Sequence, residues 1–140
     1  MNNKIWNTGA LNHYDEYMEF INTHYKKSIE SLVEQTNNKL NGEITYDAKP
    51  HPNGSYTITM GLDILYDYKG DQHTFNLINT DINIHPPHDS IMRISYKKYN
   101  GSVSMRITDF DDFEDKFYNI LMYNSTGDII SNLLNVNNDK

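Results

Sequence analysis

The sequence predicts an α+β domain: a long helix, five antiparallel strands, and a closing helical segment. Three observations carry this. Apolar residues fall at helical spacing between Asn12 and Leu40, alternate strictly from Tyr56 to Tyr68, and return to helical spacing after Phe113. A chain of 140 residues builds one core and not two, so a single domain over 1–140 is expected, with loose ends about 1–8 and 136–140. Both helical segments should pack on one face of a twisted sheet, leaving the other face wet or free to bind.

In the first helix, Tyr14, Met18, Ile21, Tyr25, Ile29 and Leu32 follow one another by three or four positions and form one stripe. Asn12 is positioned as its N-cap, with Asp15 and Glu16 in the favourable first turns, and Asn41-Gly42 as its stop. Ile44, Tyr46 and Ala48 make a first strand, joined through KPHPNG to a second in which every even residue from Tyr56 to Tyr68 is apolar. After the KGD turn the alternation changes phase between Leu77 and Ile78, which predicts a β-bulge. Asn100-Gly101 predicts a two-residue hairpin turn with Ile94 opposite Ile107 and Tyr96 opposite Met105. Phe113, Phe117, Ile120 and Leu121 then mark a helix that Gly127 ends or bends, followed by a short amphipathic stretch and a fraying NVNNDK.

The most conspicuous chemistry is TDFDDFED, where Asp109, Asp111, Asp112, Glu114 and Asp115 crowd the start of that helix. Asp111 with Glu114 three residues on reads as a capping signature, and carboxylates in a first turn are favoured by about 0.3–1 kcal/mol each. The stretch lacks the glycine and spacing of a calcium loop. With Asp15, Glu16 and Glu19 on the first helix, it also makes a candidate surface for a basic protein partner.

Arg93, Lys97, Lys98 and Arg106 form the contrasting basic group, four of the chain's twelve Lys and Arg residues. Beside Tyr96 and Tyr99 they could stack and hold single-stranded nucleic acid, or simply discourage edge pairing. The net charge of −7 favours the second reading. His85, His88 and Asp89 in IHPPHDS carry zinc-ligand chemistry, but two prolines give them the character of a turn between strands. Trp6 is expected to pack the N-terminal arm on the first helix.

No phosphate loop, dinucleotide fingerprint, nucleophile elbow or zinc-protease motif occurs, and there is no cysteine. No catalytic, cofactor-binding or metal-binding residue is therefore assigned, and the chain is read as a non-enzyme. Neither a signal peptide nor an apolar run of spanning length is visible, which leads to the expectation of a cytoplasmic protein without membrane or direct nucleic-acid contacts. Nineteen asparagines against two alanines point to an A+T-rich bacterial, plasmid or phage gene.

In size, acidity, lack of cysteine, codon bias and compact α+β pattern, the chain resembles the small acidic inhibitors carried by phages and mobile elements, anti-CRISPR proteins among them. The resemblance is one of type and transfers no residue roles. It implies a binding protein that blocks a bacterial nuclease such as a Cas effector. Two alternatives stand beside it: an immunity protein or antitoxin, which an adjacent toxin gene would favour, and a small enzyme or ligand-binding domain using the open sheet face.

Overall fold

The computed structural model describes residues 9–84 and 91–138, with side chains from 15 to 84 and 91 to 137. Its elements follow the order α1 (Gly9–Gln35), β1 (Asn41–Pro50), β2 (Tyr56–Tyr68), β3 (Asp71–Ile84), β4 (Ile91–Lys98), β5 (Gly101–Ile107), α2 (Phe110–Met122) and α3 (Asn124–Asn138). The strands form one antiparallel meander in the order β1-β2-β3-β4-β5. The α+β class and the helix–sheet–helix order are as the sequence predicts.

The core lies between one sheet face and the three helices. Met60, Leu62 and Ile64 of β2, Ile78 and Ile82 of β3 and Ile94 of β4 meet Ile21 and Tyr25 of α1 and Phe113, Phe117 and Ile120 of α2. Tyr25 is fully buried, its hydroxyl donating to the Met60 carbonyl at 3.1 Å and lying 2.7 Å from Thr80 Oγ1. This polar anchor fixes α1 across the centre of the sheet, and burial keeps the phenol protonated far above the ordinary tyrosine range.

The bulge falls where the alternation slips. Leu62 pairs with Ile78 and Asp63 with Asn76, so Leu77 is the extra residue. Lys69 and Gly70, both with positive φ, make the two-residue turn between β2 and β3.

Several boundaries differ from the sequence reading. Asn12 lies inside α1 and not at its cap. The helix stops at Gln35, before Leu40, because Asn37 takes the left-handed position with φ 52°. The Asn38 N–H then bonds the Val33 carbonyl at 2.9 Å and the Asn37 N–H bonds that of Glu34 at 3.2 Å, a Schellman closure built on asparagine. Asn41 and Gly42 open β1 instead. Gly127 lies within α3, and the break comes at Tyr123, whose extended backbone (ψ 144°) separates α2 from α3. There the Thr126 hydroxyl caps the Ile120 carbonyl at 2.6 Å. Residues 136–138, expected to fray, are helical.

The β4–β5 register is also corrected. Ile94 pairs with Met105 and not Ile107, while Ile107 pairs with Met92 and Tyr96 with Val103. Lys98 faces Gly101, so Tyr99 and Asn100 form the turn, Tyr99 at φ 39°. Gly101 is a strand residue without the positive φ that an Asn-Gly turn demands. The slip of two residues keeps every side chain on its expected face and brings Met92 onto a core partner. The expectations for Trp6, His85, His88 and Asp89 lie outside the described residues.

Candidate functional site

The first turn of α2 sorts the five clustered acids into two groups. Asp109 is the N-cap, its Oδ1 accepting the Asp112 N–H at 2.7 Å. Asp112 reaches back past the N-cap to accept the Thr108 N–H at 2.8 Å, a variant of the capping box displaced by one residue. The Lys116 ammonium sits 2.7 Å from both Asp112 oxygens. Lys116 first, and then the Thr108 N–H, hold the Asp112 carboxyl below the usual carboxylate range. The cap thus starts two residues earlier than Asp111, and Asp111, Glu114 and Asp115 are left exposed.

An aromatic seam joins this turn to α1. Phe20 stacks on Phe110 at 4.4 Å, Tyr17 meets Phe110 edge-on at 4.8 Å, and Phe20 meets Phe113 at 5.9 Å. Further along, His24 Nδ1 lies 2.7 Å from the Tyr118 hydroxyl. Asp15, Glu16 and Glu19, exposed on α1 around Tyr17 and Phe20, therefore share one end of the helical layer with Asp111, Glu114 and Asp115. Among the described residues the only ion pair is Lys116–Asp112, so these six carboxylates are not neutralised.

His24 is buried, and burial lowers its pKa; Glu114 opposes this and Lys27 assists it. A group whose folded pKa is depressed contributes stability above its unfolded pKa and loses it as pH falls through the folded one. Acidification should therefore weaken the protein in two stages, one below about pH 6.5 from His24 and one below about pH 3.9 from Asp112. Urea denaturation across this range checks it: His24→Gln should remove the upper stage and Asp112→Asn the lower.

The basic group does not stay together. Arg93 and Arg106 face each other across β4 and β5, with Arg93 Nε donating to Ser104 Oγ at 3.1 Å, and Lys97 faces Ser102. Alternation puts Lys98 on the opposite side from these three. Tyr96 is also on that side, 7% exposed and 5.6 Å from the Tyr123 ring. It is thus unavailable as a base-stacking platform beside the arginines.

The same open face holds a polar network absent from the sequence reading. Asn76 Nδ2 donates to Asp63 Oδ1 at 2.7 Å, and the Asn76 and Asn79 amides bond each other reciprocally at 3.0 and 2.8 Å. Thr59 donates to Asp81 at 2.7 Å and Thr57 to Asn83 at 2.6 Å. Gly61 lies beneath these groups; a Cβ there would collide with Thr45 Oγ1 and come within 3.0 Å of Asn79 Oδ1. Thr57, Thr59 and Asp63 of β2 and Asn79, Asp81 and Asn83 of β3 stand at odd positions and are legibly polar, but the bulge at Leu77 brings the even-numbered Asn76 onto the same face opposite Asp63. These side chains bond one another and so knit β2 to β3. Among the described residues no three His, Asp or Glu side chains converge as a metal site.

Comparison of the chain with protein families, with curated proteins and with solved structures returns no match.

Proposed function

We propose that this protein is a non-enzymatic, protein-binding inhibitor acting through the acidic end of its helical layer on a basic surface of a bacterial nuclease, such as a Cas effector. The observation that supports this reading is the Tyr17–Phe20–Phe110–Phe113 seam, which unites two acidic segments some ninety positions apart in the chain. A protein groove that binds nucleic-acid phosphates is lined with Lys and Arg, the complement of such a surface. The net charge of −7 adds long-range attraction of the same sign. The choice of a nuclease, and of a phage or mobile-element origin with action in the bacterial cytoplasm, follows from the resemblance of type.

The test is comparative capture from bacterial lysate, with the wild-type chain and a Glu16→Gln, Glu19→Gln, Asp111→Asn, Glu114→Gln, Asp115→Asn variant as baits. Asp109 and Asp112 stay intact to preserve the cap. The expected result is a nuclease retained by the wild type, depleted about tenfold by the variant, and blocked in cleavage when the purified proteins are mixed. Equal retention by both baits, or a captured nuclease that cleaves unhindered, would contradict the reading.

A further inference from the structure

Between α1 and α3 the helical layer opens into a groove of about 530 Å³. Ile29 and Leu32 of α1 form one wall, Ile130 and Leu134 of α3 the other, and Leu62 and Ile64 of β2 lie beneath. All four wall residues are half-buried, while the two floor residues are each 2% exposed. The volume is in the range of small-molecule sites, about 300–1,000 Å³.

The polar groups around the groove narrow the ligand class. Four of the five hydroxyls that line it are engaged by the protein: Ser28 on the Tyr25 carbonyl, Thr36 on that of Leu32, Thr126 on that of Ile120, and Tyr118 on His24. The fifth, Ser31 Oγ, accepts from Gln35 Nε2 at the exposed rim. A sugar or nucleotide would find few free partners there. Lys27 is the single charged residue on the lining, exposed, and without an ion pair among the described residues. In a chain of net charge −7 it is a localised attraction for an anion on an otherwise repelling surface.

We propose that this groove binds a free straight-chain fatty carboxylate, its hydrocarbon tail between the α1 and α3 walls and its carboxylate at Lys27. The proposal is independent of the acidic end. A hydrocarbon tail asks nothing of hydroxyls already engaged, and one cation matches one head group.

Gly127 supplies the test. It lines the groove within α3, and a Cβ built there meets nothing within 4 Å, so a leucine at this helical position should fill the groove without disturbing the fold. Calorimetric titration of the whole protein with octanoate, decanoate and laurate below their micelle concentrations should show one-to-one binding. Affinity should tighten up to about fourfold per methylene. Lys27→Gln should weaken decanoate about tenfold and leave decanol unchanged. Gly127→Leu should abolish both, with an undiminished melting temperature. Absence of saturable laurate binding by the wild type, equal decanoate binding by Gly127→Leu, or indifference to Lys27→Gln would each overturn it.

Discussion

Replacing Ile94 by aspartate is expected to leave the chain without a cooperative unfolding transition at room temperature. Ile94 is 0% exposed at the centre of β4, between Thr80 of β3 and Met105 of β5 and beneath the helices. A carboxylate there has neither water nor a cation, and burying it unpaired costs several kcal/mol or forces protonation. Domains of this size have only about 5–15 kcal/mol in total, and the lost isoleucine packing adds to the cost. Arg93, one residue earlier, is exposed on the other face, its Nε on Ser104. Arg93→Ser should change stability by no more than about 0.5 kcal/mol. Circular dichroism with urea titration separates the two; comparable losses at both positions would mean that the sheet is turned the other way.

Phe117→Ala is expected to cost about 3–5 kcal/mol, the range for removing a fully enclosed aromatic ring. Phe117 is 0% exposed, parallel to Phe113 at 5.5 Å and 5.4 Å from the Tyr25 ring. It therefore links the aromatic seam between α1 and α2 to the Tyr25 anchor on the sheet. Its loss leaves a cavity that these flat rings fill poorly, and it loosens the contact that holds the two acidic segments together. Phe117→Leu should lose less, since it keeps much of the volume. Equilibrium unfolding of both variants gives the comparison. A loss below about 1 kcal/mol for alanine would place Phe117 at a surface instead of in the core.

These positions also show why some features are legible in the sequence and others are not. The even-numbered alternation of β2 and the phase change at Leu77 state the sheet and its bulge directly, because side-chain period is a local property. The β4–β5 register is different: a slip of two residues leaves every side chain on its own face, so alternation cannot detect it. Asn100-Gly101 then favours a turn that packing of Met92 against Ile107 overrides. The end of α1 escapes the sequence reading because asparagine at 37 takes the role expected of a glycine. In TDFDDFED, Asp109 and Asp111 each have an acid three residues on, so spacing alone does not choose the cap. Each acidic segment is visible as composition. Their union rests on Phe20 meeting Phe110, a tertiary contact without local signature.

The most direct measurement is the association rate between this protein and the partner retained in the lysate capture, a nuclease on the proposed reading, followed by stopped flow across a salt series. The variant with Glu16, Glu19, Glu114 as glutamine and Asp111, Asp115 as asparagine is compared with the wild type, both shown to be folded. Attraction by the acidic end should speed association about tenfold or more at low salt, fading as the Debye length shrinks to about 8 Å at physiological ionic strength. The variant should associate slowly with a nearly flat salt dependence. Equal rates and equal salt dependence for the two proteins would contradict a binding role for this surface.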